Sequence, residues 1–197
     1  MSITSFKLAV VGSVIPTVAY AHSGVGDPHG LVHGFLHPLS GIDHILAMVA
    51  VGLLAMHLGG RALWLVPAAF VAMMAIGGGL SAAGVSIPLV ETGIAISVIS
   101  LGLLVAFELK VSIAAAMVLV GLFAIFHGHA HGAELPENAS ALAYIAGFMI
   151  VTASLHALGV GLGLALRLAA SFGGEKVLRL GGCAMSLAGV AIFLQLL

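Results

Sequence analysis

Ten histidines are the residues of this sequence best suited to chemistry, and most of them fall in two short clusters. The first cluster is HGLVHGFLHPLSGIDH at 29–44, where His29, His33 and His37 recur every four residues and His44 follows seven later. On a continuous helix this spacing would align all four imidazoles on one face. Neutral imidazole is a ligand for Ni(II), Cu(II), Zn(II) and Co(II), so the cluster predicts metal chemistry.

The second cluster is FHGHAHGAE at 126–134. His127 and His131 are one helical turn apart, and Glu134 continues the same stripe three residues later. His129 points to another face of such a helix. Imidazoles combined with a carboxylate, and without a thiolate, again favour a divalent transition metal.

A proline limits how far the first cluster can form one helix. The residue before a proline avoids the α conformation, and proline itself suits the first helical position. We therefore expect the first membrane helix to begin near Pro38, with His37 just before its first turn and His44 deeper in the membrane. Asp43 is either a ligand, after distortion at Gly41, or a group that orients the ligands. A charge inside a membrane costs about 2.5–3.5 kcal/mol or more, so a functional role for Asp43 is expected.

Composition indicates that the elements carrying these clusters cross a membrane. The 197 residues are 61% hydrophobic and 7% charged, with a mean hydropathy of +1.26, whereas a soluble domain is about 25% charged. Six Lys and Arg residues give no basic surface for nucleic acid, and a single cysteine excludes an internal disulfide or a cysteine-based zinc site. No nucleotide-binding P-loop motif is present in the sequence.

The beginning of the chain has the pattern of a secretory signal peptide. An apolar run at 8–18 is followed by Ala19-Tyr20-Ala21, an A-x-A cleavage site. This predicts a signal peptide at 1–21 and a single membrane domain at 22–197. Cleavage would give His22 a free amine that chelates metal together with its imidazole. The alternative is an uncleaved signal anchor.

Six further apolar runs predict an all-α polytopic membrane protein, because backbone polar groups in lipid must be satisfied within helices. Each run is close to the roughly 20 residues that one crossing needs. The predicted spans are 38–58, 62–82, 88–107, 111–127, 140–166 and 177–197.

Positive charge predicts how these spans are oriented. With the mature N-terminus outside, all five basic residues of the membrane domain fall on the cytoplasmic side, as the positive-inside rule requires. We therefore expect a multi-pass protein of the bacterial inner membrane with both mature termini in the periplasm and both clusters at the outer end. The five residues are Arg61, Lys110, Arg167, Lys176 and Arg179.

The two clusters resemble the signatures of the HupE/UreJ family of hydrogenase and urease accessory proteins. HPLSGIDH at 37–44 is similar to the family's H-P-x-x-G-x-D-H motif, and FHGHAHGAE at 126–134 is similar to its second motif. The resemblance implies secondary transport of nickel, or in some members cobalt, for metalloenzyme assembly. By matching position it implies metal-binding roles for His37, Asp43, His44, His127, His131 and Glu134.

Other polar residues are candidates for the entrance or the pathway of the ion. Glu91 could instead be an interfacial carboxylate that faces the lipid headgroups. His156 lies near the middle of a span and could instead have a structural role. These candidates are His22, His29, His33, Glu91, His129 and His156.

Two other functions are compatible with the same residues. Histidine pairs with Asp43 and Ser40 could hold zinc in an intramembrane hydrolase, and opposed histidines could ligate haem in an electron carrier. We expect a permease rather than an enzyme, without a permanently bound cofactor. Its expected partners are the metal ion and the lipid bilayer, and a homo-oligomer is left open.

Overall fold

The computed structural model describes residues 30–135 and 141–195, and these residues form helices joined by short turns. Two 3₁₀ turns, His37–Leu39 and Ala170–Phe172, accompany the α-helices. The α-helices are α1 (Gly30–Leu36), α2 (Ile42–Leu58), α3 (Ala62–Ala82), α4 (Val90–Ala106), α5 (Ile113–Ala133), α6 (Ala141–Leu168) and α7 (Gly174–Phe193).

Length and hydropathy identify the chain as a multi-pass membrane protein. Helices α3, α5, α6 and α7 are each long and apolar enough to cross a bilayer, and α1 with α2 makes a fifth candidate if the bent pair is counted as one span. Helix α4 has 17 residues, so it is about 25 Å long and at the short end for a crossing. Counting α4 gives the six predicted spans, which remain a prediction. The predicted signal peptide at 1–21 lies outside the described residues.

The first cluster bends where the sequence predicted a helix start. Helix α1 forms the first part of the cluster and the 3₁₀ turn that contains Pro38 follows it. Helix α2 begins at Ile42 rather than near Pro38. Gly41 is extended at φ −94° and ψ 115°, and the two parts of the span meet at 80°. The break separates His37 from the helical stripe that carries His44.

Small residues bring the helices of the site into close contact. A Cβ at Gly128 of α5 would collide with the backbone carbonyl of Met74 in α3. Gly159 of α6 packs in the same way on α2, where its Cβ would lie 3.0 Å from the Cα of Gly52. Membrane helices approach this closely only where side chains are small.

The basic residues lie at the end of the bundle away from the histidine clusters. The Nε–H of Arg179, near the start of α7, donates to the carbonyl of Ala106 at the end of α4 over 3.2 Å. At the other end, the ring of His33 lies 5.7 Å from that of Tyr144 at the start of α6. The bundle therefore has a cationic end and a histidine end.

Candidate metal centre

Three histidines from two helices converge at the histidine end of the bundle. His44 comes from the first turns of α2, and His127 and His131 come from the last turns of α5. One ligand atom from each lies within 4.8 Å of the others. His44 and His127 are both 0% exposed. We call these three residues the inner group.

The hydrogen bonds of His44 determine which ring nitrogen is free. Its Nε2 lies 3.2 Å from Oγ1 of Thr152, and the hydroxyl of Thr152 donates to Sδ of Met74 over 3.9 Å. Because that hydroxyl has one hydrogen, its oxygen accepts from Nε2–H of His44. Nδ1 of His44 is therefore left with its lone pair.

Hydrogen bonds also determine the tautomer of His127. The hydroxyl of Ser97 donates to the carbonyl of Ile94 over 2.6 Å, so its oxygen accepts from Nε2–H of His127 over 2.9 Å. Nδ1 of His127 is buried and has no hydrogen-bond partner among the described residues. A buried acceptor without a partner is costly, which is a reason to look for a ligand.

The spacing of the ring nitrogens fits one metal ion. Nδ1 of His44 and Nε2 of His131 are 3.2 Å apart. Two nitrogen ligands at about 2.0–2.1 Å from a tetrahedral ion are separated by about 3.4 Å. Little movement is needed for these two nitrogens to share an ion.

A second group lies closer to the surface and consists of His37, His131 and Glu134, again with ligand atoms within 4.8 Å. Nε2–H of His37 donates to Oε2 of Glu134 over 2.6 Å, and Nδ1 of His131 lies 3.3 Å from the same oxygen. The imidazoles of His131 and His37 hold the pKa of this carboxyl well below its usual range through these hydrogen bonds. Glu134 is therefore an anion that attracts a dication. We call these residues the outer group.

His131 belongs to both groups. Its Nδ1 faces Glu134 and its Nε2 faces His44. Side-chain exposure falls from 51% at Glu134 to 15% at His131, and to 0% at His44. The two groups therefore form one series of ligands that leads from the surface into the bundle.

Helix α6 supplies a wall of the centre that the sequence analysis missed. The ring centroid of Phe148 lies 4.6 Å from that of His131 and 5.1 Å from that of His44. Tyr144 packs on His37 at 6.0 Å. A cavity of about 220 Å³ between α3, α5 and α6 is lined by His131, Tyr144 and Phe148, among other residues. It has room for several water molecules at about 30 Å³ each.

Ser97 and Thr152 were also missed, although they set the tautomers of His127 and His44. The recurrence of Tyr144, Phe148 and Thr152 at every fourth residue was a usable signal for α6. Ser97 had no such signal, because a serine in an apolar helix usually bonds only to its own backbone.

Two predicted carboxylates are not brought into either group. Asp43 lies half-buried in the first turn of α2, where its Oδ1 would lie 2.7 Å from a Cβ added at Gly41. Glu91 is exposed in the first turn of α4. Both positions are favourable for an anion because the helix dipole is positive there.

The remaining predicted histidines occupy different places. His129 is directed away from the centre, and its Nε2–H donates to the carbonyl of Val85 over 2.8 Å. His33 is exposed and lies 5.6 Å from the ring of His37. His156 is buried deeper in the bundle. His22 and His29 fall outside the part of the chain that the structure describes.

The fold and the centre define a polytopic helical membrane protein with a histidine–carboxylate site suited to a divalent transition metal. The chain belongs to the HupE/UreJ family, since the family described as HupE / UreJ protein matches residues 8–192. It is 47% identical over 192 residues to Protein HupE from Rhizobium leguminosarum bv. viciae, and the alignment covers 98% of each chain. No solved structure matches the chain. The family is associated with nickel and cobalt transport for hydrogenase and urease.

Proposed function

We propose that this protein is a secondary permease that moves a divalent transition-metal ion, nickel with cobalt as the second candidate, inward across the inner membrane for hydrogenase or urease assembly. The observation that carries the proposal is the convergence of three histidines, two of them fully buried, in the inner group. The tautomers described above leave a lone pair on Nδ1 of His44, which faces Nε2 of His131 at 3.2 Å, and on Nδ1 of His127, which has no partner among the described residues.

The gradient of exposure favours transit over permanent binding. An ion arriving from water meets the Glu134 carboxylate first, which offsets part of the cost of removing its hydration shell. His131 can then hold the ion from one ring nitrogen or the other, since it borders both groups. A site that must release its ion benefits from such overlapping, incomplete ligand sets.

Nickel is chosen over other dications because of the family to which the chain belongs. Ligand type alone does not separate nickel from cobalt. A membrane potential of 100 mV, negative inside, favours entry of a dication by about 4.6 kcal/mol, so no nucleotide is needed to drive uptake.

The geometry gives less support to the two competing functions. The hydroxyl of Ser40, a candidate in a hydrolase, donates to the carbonyl of His37 over 2.6 Å and lies in the turn outside both groups. Axial haem ligands face each other across a porphyrin, whereas the nitrogens of His44 and His131 are adjacent, at 3.2 Å.

Uptake by proteoliposomes tests the proposal. Purified protein should accumulate radioactive nickel under an inside-negative potential, and cobalt should compete better than zinc. Uptake no faster than in empty liposomes would contradict the proposal. Metal that stays bound to the purified protein through dialysis would instead favour the intramembrane hydrolase. A visible absorption band of the purified protein would favour the haem protein. In intact cells, a reporter fused after Leu197 should show a periplasmic C-terminus.

A further inference from the structure

Helix α6 carries a stripe of buried residues at every fourth position: Tyr144, Phe148, Thr152 and His156. The first three contact the metal centre in order of depth: Tyr144 packs on His37, Phe148 packs on His44 and His131, and Thr152 bonds to His44. His156 is the next member, about 6 Å further along the helix. The stripe thus continues inward past the last ligand of the centre.

The imidazole of His156 is buried without a partner. It is 1% exposed, and neither Nδ1 nor Nε2 has a hydrogen-bond partner among the described residues. A neutral imidazole carries one donor and one acceptor, so both are desolvated without compensation. Polar groups kept at such a cost inside a membrane commonly mark an ion path.

The surroundings of His156 connect it to the inner group. The ring of Phe70 lies 5.9 Å from that of His127 and 5.2 Å from that of His156, so it touches both histidines. On the α6 side, Thr152 bonds to His44 and is one turn from His156. His156 is therefore separated from the inner group by one aromatic ring and one helical turn.

His156 also borders an open groove of about 320 Å³ on the surface between α3 and α6. The other residues of its wall are apolar, among them Leu63, Pro67 and Val160. The other residues that line this groove offer no second imidazole or carboxylate, so His156 would be the one protein ligand there. A single imidazole holds a dication less tightly than the three histidines of the inner group.

We propose that His156 is an inner ligand station, which takes the dication from the inner group through one imidazole nitrogen and passes it toward the cytoplasm. This inference rests on the proposed permease function. It assigns to His156 a transient bond to the ion, which a purely structural imidazole would not make.

Replacing His156 by a different metal ligand distinguishes a metal-binding role from a purely structural one. We would compare His156→Cys with His156→Ser, which differ by one atom, in a Cys183→Ser background that removes the native exposed thiol. Uptake of nickel and cadmium into proteoliposomes and equilibrium nickel binding in detergent would be measured. Thiolate is a softer ligand than imidazole, so it should shift selectivity toward cadmium.

For His156→Ser we expect nickel uptake about tenfold slower than in the parent, with nickel binding at the outer and inner groups within about twofold. For His156→Cys we expect transport to be partly restored and the cadmium-to-nickel ratio to rise about tenfold. The inference is wrong if His156→Ser transports like the parent, if it loses nickel binding along with transport, or if both variants are equally slow with unchanged selectivity. Absence of nickel transport by the parent itself would instead contradict the proposed function.

Discussion

Ser97 and Thr152 act on the metal centre through the protons of their neighbours. Each hydroxyl accepts from Nε2–H of a buried histidine and so directs the lone pair of the opposite nitrogen toward the group. Removing a hydrogen-bond partner that fixes a ligand's tautomer typically lowers metal affinity by about 10- to 100-fold.

Ser97→Ala should therefore slow nickel uptake by about tenfold, because Nε2–H of His127 loses its acceptor and the ring can change tautomer or turn. Leaving that donor unpaired costs about 1–3 kcal/mol, so the melting temperature should fall modestly as well. Ser100→Ala is the matched control on the same helix, since Ser97 bonds to His127 whereas Ser100 has no hydrogen bond to a histidine among the described residues. Equal uptake by the two variants would show that Ser97 does not position His127.

Residue type and spacing predicted the two clusters, because few residues other than histidine and carboxylates bind these metals, and the resemblance to the family motifs nominated six ligands among them. The structure brings five of the six nominated ligands into the two groups and leaves Asp43 outside them. The sharing of His131 could not be predicted, since it depends on the depth at which α5 packs against α2. The hydroxyl partners were missed for the same reason.

Helices α2, α5 and α6 position the centre, and each does so by a different means. Helix α5 carries His127 and His131 on one stripe, and Glu134 follows as the residue that caps its C-terminal end. The break before α2 places His37 beside Glu134 rather than in line with His44. The contact of Gly159 with Gly52 sets the register of α6 against α2.

Gly159→Ala tests the contribution of this register. The added methyl group would collide with the carbonyl of Val49, which should cost about 1–3 kcal/mol and displace Thr152 from His44. We expect a lower melting temperature and slower nickel uptake. Gly161→Ala on the same helix has open space for its methyl group and should leave both unchanged. A Gly159→Ala protein as stable and active as Gly161→Ala would show that the close approach is unimportant.

Hydropathy predicted the helices well because the apolar runs and the turns between them are local features. The predicted run 62–82 coincides with α3, but α5 continues to Ala133, past the predicted end at 127. The three histidines of the second cluster are therefore part of the helix itself, and Glu134 caps its end. The 80° break could not be predicted from Pro38 alone, because it also depends on the extended Gly41.

The whole molecule separates its basic residues from the two ligand groups along the bundle. The ligand groups lie at one end, and Arg61, Lys110 and Arg179 lie at the other. In the proposed function, an ion that enters at the first end moves from the outer group to the inner group. In the proposed orientation, the membrane potential drives it in that direction.

The central claim is that His131 passes the ion from the outer group to the inner group. The most direct test compares radioactive nickel uptake by proteoliposomes containing His131→Gln with uptake by His129→Gln, at equal protein content. The two histidines lie on the same helix, but His129 bonds to the carbonyl of Val85 and is in neither group. We predict that His131→Gln lowers uptake at least about tenfold while His129→Gln stays within about twofold of the unmodified protein. Uptake by His131→Gln at the rate of His129→Gln would contradict the claim.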